Sequence, residues 1–273
     1  MTPIFANSAF VEVPERLVVK NGGWQKIRLK VRYGIVRHPE AGLILIDTGY
    51  GPRVTQGARS MALRLYNGIL GPKLLADGQP EAALRQLGAA PRDVRTVVVT
   101  HFHADHISAL DLFPQARIFT KQSAFQSIQA QSYWRNLRHG VFSEFLPACL
   151  AERIVDIDTL ARIEAPLGLG DGADLLGDGS LLAIDLPGHA EGHFGVCFAE
   201  APTPLLYAVD VQWHASTLRE TKSAGFPANL VATDSHALAA SISRVAAFRD
   251  NGGDVLLCHD PHDSPYDMRG DPP

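Results

Sequence analysis

The stretch Thr100-His101-Phe102-His103-Ala104-Asp105-His106 packs three histidines and an aspartate into six positions, directly after the β-branched run Val97, Val98, Val99 and Thr100. A short apolar run behind polar Arg92, Asp93 and Arg95 reads as a buried strand ending at Thr100. The histidines therefore stand at a strand's carboxyl end, where loops vary while the sheet holds their roots still. His101 and His103 are two apart, so in extended geometry both imidazoles project to one side and Phe102 to the other. Asp105 and His106 then pass through a turn into a helix. Imidazole and carboxylate suit zinc, iron or manganese, so four such groups in six positions point to a metal centre rather than to a solvated loop with chance histidines.

The same arrangement recurs downstream. Apolar runs end at His189 after Pro187 and Gly188, at Asp210 in Leu205–Asp210, and at His259 in Val255–His259. If these strand ends converge, the donors suffice for two adjacent divalent cations with Asp210 between them, an arrangement that holds a hydroxide, lowers its pKa and polarises a substrate oxygen. Taken singly, Asp210 is as readily a turn residue, and His259 a hydrogen-bonded histidine.

The remaining pattern mixes hairpins with strand–helix units. Lys26–Val36 and Gly42–Tyr50 form a predicted hairpin, and Pro80–Gly88 a short helix with proline at its start and glycine at its end. A strand, Ala116–Thr120, and a helix, Lys121–Gln131, follow, and then three meandering strands within Ser180–His189, His193–Glu200 and Thr203–Asp210. Ser235–Gly253 reads as an amphipathic helix with a serine cap and a glycine stop, leading into the strand Asp254–Asp260. These elements predict an α+β fold, with two sheets between helices, and a single domain over residues 1–273. With 46% hydrophobic and 20% charged residues and a net charge of −4, the chain has the balance of an ordinary globular protein. It shows no basic run for nucleic acid or an anionic membrane, and no signal peptide or spanning segment, so a cytoplasmic location is expected. Cys149, Cys197 and Cys258 are too scattered for a disulfide framework and are expected to be small buried hydrophobes.

With these motifs in order, the chain resembles the metallo-β-lactamase superfamily over roughly residues 27 to 262. Thr100–His106 matches that family's H-x-H-x-D-H motif, Pro187–His193 its glycine–histidine turn, and Ala208–Asp210 and Leu256–Asp260 its later ligand positions. Ile44–Gly49, with Asp47, resembles its early aspartate, which supports the site rather than binding metal. The resemblance implies an αββα sandwich. It also implies His101, His103 and His189 on one metal ion and Asp105, His106 and His259 on another, with Asp210 shared. Two divalent ions, zinc first and iron or manganese as alternatives, are the implied cofactors. Asp105 is further implied to orient the hydroxide and pass a proton to the leaving group.

Within the superfamily, Asp210 argues against the commonest zinc β-lactamases and Ala104 against flavodiiron oxidases, while the acidic balance argues against nucleases. Persulfide dioxygenases use three ligands on a single iron, which leaves His259 without a role. Glyoxalase II-like thioester hydrolases and N-acyl homoserine lactonases remain, and Val31–Tyr50 and Leu256–Asp260 look more like the lactonases, the quorum-quenching branch. Where those enzymes often carry a carbonyl-binding tyrosine, three residues after the shared aspartate, this chain has Trp213, beside His214. Both are candidate substrate contacts. Arg59–Leu75 and Phe125–Leu146 are rich in large apolar residues, as a lid or acyl-chain wall would be, or equally as ordinary core or a homodimer contact would be. The remaining histidines, His38, His139, His193, His236 and His262, fall outside the ligand pattern. The expected activity is hydrolysis of a lactone or activated ester. A non-catalytic small-molecule sensor is the alternative from another class, and an intact donor set favours catalysis.

Overall fold

A computed structural model describes residues 1–19, 21–219 and 232–268. The first sheet is built from β1 (Ile4–Pro14), β2 (Lys26–His38), β3 (Gly42–Ile46), β4 (Lys73–Leu74), β5 (Val94–Val98), β6 (Arg117–Thr120) and β7 (Ile154–Asp156), in the order β4-β1-β2-β3-β5-β6-β7. The second contains β8 (Arg162–Ala165), β9 (Gly170–Asp174), β10 (Leu181–Asp185), β11 (Phe194–Phe198), β12 (Leu205–Val209) and β13 (Asp254–Leu257), in the order β13-β12-β11-β10-β9-β8. The helices are α1 (Met61–Leu70), α2 (Pro80–Gln86), α3 (Ala104–Ile107), α4 (Gln122–Ala130), α5 (Tyr133–Arg138), α6 (Leu150–Arg153) and α7 (Ser235–Asp250).

The period of two in the strands makes the layers. Along β3, Ile44 and Ile46 enter the core between the sheets while Leu43 and Leu45 face the helices outside. Along β12, Leu205, Tyr207 and Val209 point inward, and Leu206 and Ala208 meet Leu238, Ile242, Val245 and Phe248 of α7. Leu63 of α1, Ala83 and Leu84 of α2 and Phe125 of α4 cover the other outer face. Helix, sheet, sheet, helix is the αββα sandwich that the sequence predicts.

The hairpin is β2 paired antiparallel with β3, and the meander is β10, β11 and β12. Two expectations need correction, and one strand went unpredicted. The cap of α7 is Asp234, whose carboxylate accepts the N–H groups of His236 and Ala237, rather than Ser235. Cys149 is exposed, unlike Cys197 and Cys258, because it sits in a turn before α6. The long strand β1 was not foreseen, since Asn7 and Ser8 interrupt its alternation; both side chains instead bond the backbone of Val31 across a bulge. Among the described residues, no helix is long and apolar enough to cross a membrane.

Candidate metal centre

β3, β5, β10, β12 and β13 all end at one edge of the sandwich, and the loops beyond them bring the donors together. Two of these ends are bent. Val209 has a φ of +52°, uncommon for a β-branched residue, where the pairing of β12 with β13 shifts register, so the bulge re-aims Asp210. His189 follows Gly188, whose φ of +120° only glycine adopts readily and where a Cβ would overlap the backbone of Leu238.

The first group is His101, His103, His189 and Asp210, all buried, with one donor atom from each lying within 4.8 Å of the others. His101 Nε2 and His189 Nε2 lie 3.0 and 3.1 Å from His103 Nδ1, and Asp210 Oδ2 lies 3.2 Å from His189 Nε2. The second group shares that oxygen, which is 3.3 Å from His106 Nε2 and 3.4 Å from His259 Nε2. Asp105 Oδ2 joins this side, 3.2 Å from His259 Nε2 and 3.6 Å from His106 Nε2. Cys258 also falls in the second group, but its thiol donates to the Arg32 carbonyl, 3.4 Å away. All seven sequence-derived ligands are thus brought together.

Neighbouring groups settle which nitrogen faces inward. His259 Nδ1–H donates to the Lys30 carbonyl at 2.7 Å, and His106 Nδ1 lies 2.9 Å from Asp47 Oδ2. The hydroxyl of Thr100 donates to the same Asp47 oxygen at 2.8 Å, so it accepts from His101 Nδ1–H at 3.2 Å. In the neutral imidazole each Nε2 then turns its lone pair toward the cluster, as a metal-binding imidazole requires. His193 lies outside the donor set but supports it: its Nδ1–H donates to the Leu186 carbonyl at 2.7 Å and its Nε2 accepts the Asp210 N–H at 3.4 Å.

The electrostatics follow from burial and crowding. Burial, then the surrounding imidazoles, push the pKa of His101 well below its ordinary value, and burial together with His189 puts His103 at about 3. Burial likewise opposes charge on His106 and His259, but Asp210, with Asp105 and Asp47 beside His106, outweighs it and lifts both. Conversely, burial would raise Asp105, yet His106 and His259 bring it down to about 2. The cluster therefore calls for positive charge among neutral lone pairs. Two of its buried atoms, His106 Nε2 and Asp210 Oδ1, have no hydrogen-bond partner, a costly omission unless something else binds them. Lone pairs, carboxylates and orphaned atoms together fit divalent metal ions.

A cavity of roughly 270 Å³ opens onto this cluster. Its walls include Val11 and Val13 of β1, Leu29 of β2, Tyr66, Ile69 and Leu70 from α1, and Leu137 and Arg138 from α5. Both apolar stretches singled out in the sequence thus supply wall residues. The β1 contribution went unseen because that strand did. Trp213 lines the cavity with its ring edge-on to His259 at 5.5 Å. His214 is not brought to the wall; its Nδ1 meets Ser216 at 2.8 Å and its ring packs near His262. Sequence reasoning also missed a pair of phenols, Tyr50 and Tyr66, whose hydroxyls meet at 2.7 Å beside the cluster. Nothing in their local sequence marks them, since the pair forms only when α1 packs against the loop after β3.

The fold and the donor set define a metallohydrolase-type centre, and the chain belongs to the metallo-beta-lactamase superfamily, whose family model matches residues 29–259. It is 26% identical over 257 residues to the N-acyl homoserine lactonase AttM of Azorhizobium caulinodans, covering 89% of this chain and 86% of that one. It is 30% identical over 178 residues to the "probable metallo-hydrolase Rv2300c" of Mycobacterium tuberculosis, covering 65% of this chain but only 55% of that relative's length. The B. thuringiensis AiiA variant solved with N-decanoyl-L-homoserine bound at its active site shares the fold, with a TM-score of 0.66 at 18% identity over 95% of this chain and 94% of that one.

Proposed function

We propose that the chain is a metal-dependent hydrolase that opens lactones bearing an apolar acyl tail, and that its two donor groups, which have Asp210 in common, would hold two divalent ions, zinc first. The observation that carries this is a mostly apolar cavity ending on seven convergent donors. Similarity to AttM over most of both chains supports the lactone over other acyl substrates. Bound at these residues, divalent ions supply Lewis acidity and a water of lowered pKa.

The chain's own groups do the rest. Asp105, held ionised between His106 and His259, takes a proton from the attacking water and returns it to the leaving oxygen. The two phenols of Tyr50 and Tyr66 hold two protons and share one hydrogen bond, so one O–H remains for a substrate oxygen. Trp213 offers one indole N–H from a bulky ring that narrows the cavity next to His259 and disfavours bicyclic substrates. Apolar walls bind the tail and exclude water.

The test is kcat/KM for a homoserine-lactone series, a glutathione thioester and a β-lactam. Lactones are expected to lead. A thioester ahead by tenfold, about 1.4 kcal/mol of transition-state preference, would move the assignment to the thioesterases.

A further inference from the structure

α1 and α5 flank the cavity mouth, and each carries apolar or aromatic side chains out into solvent. Met61, Leu65 and Ile69 recur every fourth residue on α1, so they share one face, and they are 84%, 65% and 72% exposed. Ile69 also lines the cavity, which carries this stripe to the mouth. On α5, Trp134 is 76% exposed and stands four residues before Arg138, which lines the same cavity. Large apolar side chains gathered in this way mark a contact surface rather than ordinary solvent-facing structure.

Within the two segments that carry them, the charged side chains are of one sign. Residues 51–71 and 131–143 contain Arg53, Arg59, Arg64, Arg135 and Arg138 and no carboxylate, within a chain whose net charge is −4. The acids alongside are engaged elsewhere: Asp111 lies 3.4 Å from Arg53, Glu144 accepts from the Ser60 hydroxyl at 2.7 Å, and of the two that share a pocket lining with Arg135 and Arg138, Glu191 accepts from Ser127 and Gln131 while Asp234 caps α7. Among the described residues, Arg64, Arg135 and Arg138 have no carboxylate partner. The acidic balance of the whole chain conceals this basic patch, which is why composition alone gave no sign of a membrane partner.

Exposed Leu, Ile, Met and Trp beside unpaired arginines match the boundary between phosphate headgroups and acyl chains. A second copy docked face to face through a two-fold axis would instead set these arginines against their own kind. We infer that α1 and α5 form a docking surface for an anionic lipid bilayer, with Leu65 and Trp134 entering the headgroup–acyl boundary and Arg64, Arg135 and Arg138 meeting the phosphates. Docked in this way, the cavity mouth faces the acyl region, so an apolar-tailed substrate, on the lactonase reading, enters directly from the lipid.

The test sediments the full-length, metal-replete protein with vesicles of phosphatidylcholine alone and of equimolar phosphatidylcholine and phosphatidylglycerol. Binding to the mixed vesicles is expected to be about tenfold tighter or more, and to weaken as salt is raised. Arg64→Ser lowers it about fivefold, and Leu65→Ser with Trp134→Ser about tenfold or more, while hydrolysis of a short-chain soluble substrate is unchanged. All three side chains are solvent-facing, so these variants retain the fold, which circular dichroism checks. Three results overturn the inference: folded protein that ignores mixed vesicles, variants that bind them like the parent, or a dimer in ultracentrifugation that the Leu65/Trp134 variant dissociates. Vesicle binding is read without substrate, so it stands or falls separately from the lactonase reading.

Discussion

Asp47 Oδ2 lies 2.9 Å from His106 Nδ1, although the two residues are 59 positions apart. The same carboxylate takes the backbone N–H of Thr100 at 2.9 Å and its hydroxyl at 2.8 Å, at the very start of the histidine motif. One buried carboxylate thus ties the loop after β3 to the loop after β5 and fixes the nitrogen that His106 turns inward. Asp47 itself has a φ of +60°, a conformation that costs a non-glycine residue about 1–3 kcal/mol and persists where the surroundings over-determine it.

Replacing Asp47 with Ala removes the acceptor that orients His106 directly, while His101 loses only the indirect support it has through Thr100 and His103 and His189 lose none. Metal affinity of the second group is expected to fall about 10–100-fold, with the first group much less affected. Competition with a chelator in the parent and in Asp47→Ala checks this; two unchanged affinities would mean that His106 needs no orientation. The same titration, run to completion on the parent, is expected to release close to two ions per chain and to abolish turnover.

Asp105→Asn keeps the size of the side chain but removes the proton carrier beside His259. Turnover is expected to drop by about 100-fold or more, with metal content measured in parallel. A variant that holds its metal and works at near-parent speed would leave Asp105 with no part in proton transfer.

The donors were legible in the sequence because they gather where runs of apolar strand residues end, and burial of each run fixes where the chain leaves the sheet. Thr100–His106 is local, so its crowding shows in a window of a few residues. Asp47 was legible only through resemblance, since a lone aspartate after a strand has many uses. The cavity was harder to read. Tyr50 pairs with Tyr66, and Val11 and Val13 line one cavity with Leu137, because the fold brings together elements distant in sequence that no local period encodes. β1 was hidden by Asn7 and Ser8, polar residues that complete backbone hydrogen bonds at a bulge and therefore do not alternate. Trp213 reached the cavity wall and the adjacent His214 did not, because the His214 ring is held by Ser216 and packs near His262.

Arg32 is fully buried, and it holds Asp267 through Nε at 2.7 Å and a second nitrogen at 3.0 Å, while also donating to the carbonyls of Leu257, Asp260 and His262. The pair clamps the segment that carries His259. Burial opposes charge on Asp267, but its bonds to Arg32 and Lys30 outweigh that and hold its carboxyl below the ordinary range. A depressed carboxyl stabilises the fold fully above its unfolded pKa, about 3.9, and that contribution is lost as pH falls through the folded value. Asp267→Asn is expected to cost about 3 kcal/mol near neutral pH, because it leaves a buried guanidinium unpaired, and to flatten the acid limb of the stability profile. Urea denaturation of both proteins between neutral and acid pH measures the two effects, and parallel profiles would show that Asp267 contributes nothing through its charge.

Tail length is the last prediction, because the cavity walls make it quantitative. Each methylene that moves from water onto Val11, Val13, Leu29 or Leu137 is worth about 0.8 kcal/mol, or up to about fourfold in kcat/KM. Across homoserine lactones of increasing acyl length, kcat/KM is therefore expected to climb at up to this slope and level off once the tail outgrows the cavity. Leu137→Asp places a charge against the tail without touching the metal ligands. It is expected to raise KM for long tails about tenfold or more and to leave the kcat of the shortest lactone near the parent value, since what is lost is binding remote from the reacting carbonyl. A series that is flat with chain length in the parent, or a Leu137→Asp variant that slows every lactone equally, would place the tail somewhere other than this cavity.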